Sequence, residues 1–262
     1  MQPITRFGLL AAGLLCATAT FAAPTTTPGV LKVGMEITYP PFESYDANKQ
    51  VVGSDPELAH SLAKAMGSKA DFVDTKFPNL INGLNGGHYD AIISGMYITP
   101  EREAQAQAIP YANTGAAIMV PKDSELSPKT PEDLCGLKIG LEQGTTWVAK
   151  FRELSTSYCV PNKKGEITVR EFPSAPEVTQ ALLSKNVQAQ VEIAGAAHMI
   201  ADRTKGRVVV SSQALVYPQT LGIYVKKGNA DTYAALLEAV KASKANGEYA
   251  AILKKYDLEA VN

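Results

Sequence analysis

The sequence predicts an α/β fold, and three observations carry that reading. Apolar segments of strand length alternate with segments of helical period along almost the whole chain. Helix start and stop residues fall between them. No internal repeat interrupts the rhythm, and low complexity is confined to a short Thr/Pro-rich stretch after residue 23. Such alternation implies mostly parallel strands with helices laid on the faces of the sheet.

Taken in order, Leu31 to Met35 is a short apolar strand. Ser54-Asp55-Pro56-Glu57 opens a helix, with proline at an early position and a Ser-x-x-Glu capping box. Leu58, Leu62 and Met66 recur on one face of it, and Gly67 ends it. Ala70 to Val73 reads as strand and Asn79 to Leu84 as a short helix closed by Gly86-Gly87. Asp90 to Ser94 is a buried strand. After residue 117 the same rhythm resumes, with strands at Lys138 to Leu141, Ile167 to Phe172, Val187 to Ile193 and Val208 to Val210. Glu177 to Leu183 and Ala194 to Ala201 are the helices between them, and Asp231 to Ala245 and Glu248 to Lys255 are terminal helices.

The first residues read as an address. Arg6 precedes an apolar run from Phe7 to about Ala19, and small residues gather at Phe21-Ala22-Ala23. That run is shorter than the roughly 20 apolar residues a spanning helix needs. Cys16 lacks the Leu-x-(Gly/Ala)-Cys context of a lipid anchor. Residues 1–23 are therefore expected to be a signal peptide cleaved near Ala22/Ala23, which delivers a soluble chain to the periplasm. Cys135 and Cys159 remain after cleavage, and in an oxidising compartment such a pair favours a disulfide over a metal site or a catalytic thiol. His60, His88 and His198 are scattered, which argues against a metal site. The net charge of −1 invites neither nucleic acid nor an anionic membrane surface.

The most informative stretch runs from Asp90 to Arg102. A buried strand gives way to a turn over Ser94, Gly95, Met96 and Tyr97, and Thr99-Pro100 then opens a helix as cap and first residue. Arg102 projects from that first turn, beside backbone N–H groups that lack intrahelical partners. A guanidinium there can hold a carboxylate through two parallel hydrogen bonds. The plainer alternative is a surface arginine paired with Glu101 or Glu103.

Here the chain resembles the polar amino-acid-binding proteins that serve bacterial ABC importers. Asp90, Ser94, Thr99 and Arg102 match that family's Asp-x-x-x-Ser-x-x-x-x-Thr-x-x-Arg signature in order. Tyr39-Pro40-Pro41-Phe42-Glu43, the run from Gly53 to Leu58-Ala59, Asp133-Leu134-Cys135-Gly136, Gln143-Gly144-Thr145-Thr146 and the segment from Gly247 to Tyr256 are similar too. The resemblance implies the two-lobed type II periplasmic-binding-protein fold, each lobe a mixed, mostly parallel sheet flanked by helices. Two hinge strands, near residues 115 to 119 and 217 to 222, would join lobe one (24–116 plus 220–262) to lobe two (117–219). It also implies a monomer that needs no cofactor and delivers a small carboxylate, such as an amino acid, to an ABC permease in the inner membrane. Arg102, Ser94 and the turn at Gly95, Met96 and Tyr97 would hold the carboxylate from lobe one, and Thr145-Thr146 from lobe two. Tyr39 would stack over the ligand, with Phe77 and Trp147 completing an aromatic wall or simply packing the lobes.

One departure bears on specificity. The family places an Asp that binds the ligand's ammonium group where this chain has Ile193, and Glu192 lies one residue away. Either Glu192 takes that role, or the ligand's amine is absent, modified or bound otherwise. Two other function classes are open to this fold. One is an exported dehydratase of cyclohexadienyl acids such as prephenate or arogenate, with Glu192 or Glu142 as general acid. The other is a ligand-sensing subunit for a membrane receptor.

Overall fold

A computed structural model describes residues 24–261 of the chain. The expected signal peptide lies outside the described residues. The first half begins with β1 (Val30–Met35), a three-stranded antiparallel ribbon of β2 (Thr38–Tyr39), β3 (Glu43–Tyr45) and β4 (Val51–Val52), and helix α1 (Ser54–Ala65). It continues through β5 (Lys69–Asp74), a 3-10 turn over Phe77–Asn79, α2 (Leu80–Asn85), β6 (Ala91–Ile92) and the single-turn helix α3 (Pro100–Glu103).

The long strand β7 (Ala106–Pro121) then leads into β8 (Lys138–Glu142), α4 (Thr146–Leu154), β9 (Thr168–Phe172) and α5 (Ala175–Leu183). Next come β10 (Ala189–Ile193), α6 (Ala194–Arg203), β11 (Val208–Val210) and the second long strand β12 (Val216–Lys226). Helices α7 (Ala230–Ala245) and α8 (Glu248–Lys255) and strand β13 (Glu259–Ala260) complete the described chain.

The strand order is β5-β1-β6-β12-β7-β10-β8-β9, with β11 and β13 also paired to β7. Two parallel sets, β5-β1-β6 and β10-β8-β9, thus sit at opposite ends. Among the described residues only β7 and β12 run between them, antiparallel to each other. Their register breaks between Val216 and Gln219, where Tyr217 adopts a left-handed φ of 48°. Both expected crossing segments fall inside these two strands. In the first half, α1 buries Leu58 and Leu62 and packs on β5, α7 and α8. In the second, α5 and α6 cover β8, β10 and β11 with Val178, Leu182 and Ala197.

Two sequence expectations need correction. Ser54 is not the cap of α1: Gly53 occupies that position, and no capping box forms there. A Cβ on Gly53 would lie 2.0 Å from the carbonyl oxygen of Phe42, so the chain approaches too closely for any side chain. Ser54 instead becomes the first helical residue and donates its hydroxyl to Asp55. The strand expected over Asp90 to Ser94 is also shorter, since only Ala91 and Ile92 pair. Asp90 turns its carboxylate back to the N–H groups of Thr26 and Lys32. Cys135 and Cys159 are joined by a disulfide that ties the turn over Pro131–Leu134 to the chain beyond α4. No helix among the described residues is long and apolar enough to cross a membrane.

Candidate functional site

In parallel sheets the loops at the carboxyl ends of the strands are where ligands are held. Here β1 ends just before Glu36, β8 ends at Glu142 and β10 ends at Ile193. All three side chains reach one cavity between the two halves of the molecule. Tyr39, Glu43, Phe77, Gly95, Tyr97 and Arg102 line it from the first half. Thr145, Thr146 and Trp147 join Glu142 and Ile193 from the second.

Arg102 is held where its helix starts. Thr99 caps α3 by accepting from the Arg102 N–H, and Pro100 takes the first helical position. The guanidinium is buried, with Nη1 donating to the carbonyl of Tyr97 (2.7 Å) and Nη2 to that of Gly144 in the other half (2.9 Å). The Phe77 ring lies 5.4 Å from its Cζ, within reach of a cation–π contact. The surface alternative for Arg102 is thereby excluded. Five further polar atoms of lining residues, Glu43 Oε2, Tyr97 Oη, Glu142 Oε1, Thr146 Oγ1 and Trp147 Nε1, are buried without a hydrogen-bond partner among the described residues. Buried polar groups left unpaired are costly, so these are ready to take a polar guest. The Tyr97 and Trp147 rings meet edge to face with centroids 5.9 Å apart.

Tyr39 spans the cavity. Its hydroxyl donates to Glu192 Oε2 (2.8 Å) and accepts from the Ile193 N–H (3.1 Å). Burial and the neighbouring Glu192 raise its pKa well above the ordinary value, so it remains a donor. Glu192 also accepts from Gln190 (2.9 Å). It is completely buried, which pushes its pKa up to about 7 against the pull of those two hydrogen bonds.

Of the sequence-derived candidates, Tyr39, Phe77, Gly95, Tyr97, Arg102, Thr145, Thr146 and Trp147 come together on the lining. Ser94, Met96 and Glu192 lie behind it. The Ser94 hydroxyl donates to Glu43 (2.7 Å) and accepts from the Glu36 N–H (3.0 Å), which leaves no hydroxyl proton for a carboxylate. Met96 packs among Leu80, Leu84 and Tyr89. Glu192 is engaged by Tyr39 and Gln190, while Ile193 faces the cavity. The alternation of side chains along a strand accounts for that exchange of faces.

Glu36 and Glu43 were missed. Each is a carboxylate placed at the end of, or just beyond, an apolar run, and that position in an α/β chain was the available signal. Glu43 is completely buried, and burial followed by the charge of Asp55 holds its pKa well above the usual range. Among the described residues no group of three or more His, Cys, Asp and Glu could hold a metal ion.

The sequence pattern of the bacterial extracellular solute-binding proteins, family 3, matches residues 31–259. The chain is 43% identical over 133 residues to the ABC transporter arginine-binding protein 1 of Escherichia coli K12, a match spanning about half of either protein. It is 30% identical to the putative ABC transporter arginine-binding protein 2 of the same organism, over 91% of this chain and 95% of that one. Among solved structures, an ancestral arginine-binding protein bound to glutamine superposes with a TM-score of 0.79 at 32% identity, covering 88% of this chain and 98% of that one. The match is to a two-lobed solute-binding fold.

Proposed function

Because the chain belongs to the bacterial extracellular solute-binding proteins, family 3, we propose that it is the exported capture component of an ABC importer. In this reading it takes an amino acid or related small carboxylate into the cleft and presents it to an inner-membrane permease. The signal peptide is removed near Ala22/Ala23 and the mature chain acts in the periplasm as a monomer. Lobe one comprises 24–116 plus 220–262, lobe two comprises 117–219, and they close about β7 and β12.

The observation that carries the reading is Arg102. It is a buried guanidinium at the junction of the two halves, and its Nη2 contact to Gly144 can be exchanged for a bidentate carboxylate. Thr146 Oγ1 and Tyr97 Oη are the unpaired donors nearest in kind to such an anion. Tyr39 and Phe77 supply ring faces for the body of the guest. Donors from both lobes meet the same anion, so binding favours the closed arrangement.

The test is a thermal-shift screen of the purified protein against amino acids, N-substituted amino acids, opines and small organic acids, followed by calorimetry on the hits. A true ligand raises the melting temperature by mass action. Arg102→Ala is expected to weaken that ligand by about 2–5 kcal/mol, because it removes a buried charge partner. Unchanged affinity in the variant would sink the assignment.

A second reading is favoured by one observation. Glu142 holds its proton up to about 11, as burial and the adjoining Glu36 require, and a protonated carboxyl is what a general acid needs. A value so far above neutrality makes a poor proton donor in turnover, so the receptor reading is preferred. Incubating the protein with prephenate or arogenate and following aromatisation by absorbance separates the two.

A further inference from the structure

Glu36 and Glu142 reach the cavity from opposite halves. Glu36 stands immediately beyond β1 and Glu142 is the last residue of β8. They are only 3% and 4% exposed, and both line the cavity that Arg102 lines. Glu142 Oε1 is buried without a hydrogen-bond partner among the described residues. An acidic cluster alone marks no site, but an unpaired buried oxygen facing the cavity does call for a guest. The other second-half residues on this lining, Thr145, Thr146, Trp147 and Ile193, carry no carboxylate, and Glu192 is already committed to Tyr39 and Gln190.

Two carboxyl groups brought together in a desolvated site cannot both ionise. Burial acts first on Glu142, and the hydrogen bond and charge of Glu36 act next, with Glu192 and Glu43 adding to the negative field. The groups of opposite sign around the pair are few. Lys76 approaches Glu36 at 3.5 Å from a half-exposed rim position, and Arg102 is occupied by backbone carbonyls. The pair must therefore hold a proton or a cation whenever the lobes close on it.

We propose that Glu36 and Glu142 form a two-lobe clamp for a cationic group of the ligand, an ammonium or a guanidinium, whose carboxylate sits at Arg102. Seating the cation releases one proton from the pair to solvent. One positive charge enters and one leaves, so the buried charge of the cavity stays constant while the lobes close. The clamp rests on the receptor reading above and narrows its ligand to cationic amino acids. Glu142 is then a specificity-determining residue, supplying from lobe two the carboxylate that Ile193 cannot.

The experiment is titration calorimetry of the purified protein with L-arginine, L-lysine and L-glutamine near pH 7.5, in two buffers of different ionisation enthalpy. The buffer dependence counts protons released. The wild type is expected to bind a cationic amino acid with release of about one proton, since Glu142 starts protonated. Glu142→Gln should abolish that release and weaken the cationic ligand at least roughly tenfold relative to glutamine. Glu36→Gln is the second variant, and melting curves on both establish that they fold. Binding of cationic amino acids without proton release would overturn the clamp, as would folded variants with unchanged selectivity. A wild-type protein that binds no carboxylate-bearing compound in the wider screen would instead overturn the receptor reading and the clamp with it.

Discussion

The Tyr39 hydroxyl links the two halves beside the cavity. Tyr39 donates a hydrogen bond to Glu192 and accepts one from the Ile193 N–H, so one oxygen satisfies two buried groups of the opposite half. Tyr39→Phe keeps the ring, which stacks on Phe42 at 5.5 Å, but strands both partners. Leaving a buried polar group unpaired costs about 1–3 kcal/mol. The variant is expected to close less readily, and calorimetry should record ligand affinity reduced accordingly; equal affinity and an equal melting temperature would contradict the link. The sequence named Tyr39 and Arg102, which the structure brings to one cavity, but left open whether Glu192 meets the ligand's amine. Position along a strand resolves such a question only when the strand's end is known. Once β10 is fixed at Ala189–Ile193, Ile193 faces the cavity and Glu192 does not. Glu36 and Glu142 were harder to connect, because a pair of side chains from two lobes leaves no spacing in the chain.

Local chemistry made some elements legible and tertiary contact hid others. The start of α3 was readable because Thr99 and Pro100 act within one turn, and Thr99 does cap it. Thr99→Ala should cost about 1 kcal/mol. It should also loosen Arg102, so a melting curve and a binding isotherm should both shift modestly; a shift in neither would show the cap to be idle. The start of α1 was misread because the deciding contact, Gly53 against Phe42, is invisible to a capping pattern. The ribbon β2-β3-β4 was missed because strands of two or three residues carry no measurable alternation. The disulfide was legible from compartment and number. It braces the turn before β8 against the end of α4 and does not touch the cavity lining. Cys135→Ser is therefore expected to lower stability by about 3 kcal/mol while leaving affinity nearly intact. A large loss of affinity would mean that the bridge positions Thr145 and Thr146.

The whole molecule stores an unusual amount of buried acid, and this sets how its stability responds to pH. Asp55 is held up to about 6, Glu192 to about 7 and Glu142 to about 11, each first by burial, and Glu43 is raised as well. A carboxyl whose pKa is higher when folded binds more protons in the native state than in the unfolded one. Its contribution is complete below the unfolded value and is lost as pH rises through the folded value. For Glu192, the interval from its ordinary 4.5 to about 7 corresponds to on the order of 3 kcal/mol. Exposed pairs act in the other direction: Lys64 holds Glu248 below its usual range, and that contribution fades only in stronger acid. The unliganded protein should thus melt highest near pH 5 and progressively lower toward pH 8, the reverse of ordinary acid unfolding. Scanning calorimetry from pH 5 to pH 9 on the wild type and Glu192→Gln measures this directly, and the variant should show a shallower decline. A melting temperature that is flat or rises over this range would mean that the acids are charged and solvated in the native protein. A cationic ligand would then meet preformed carboxylates and displace no proton.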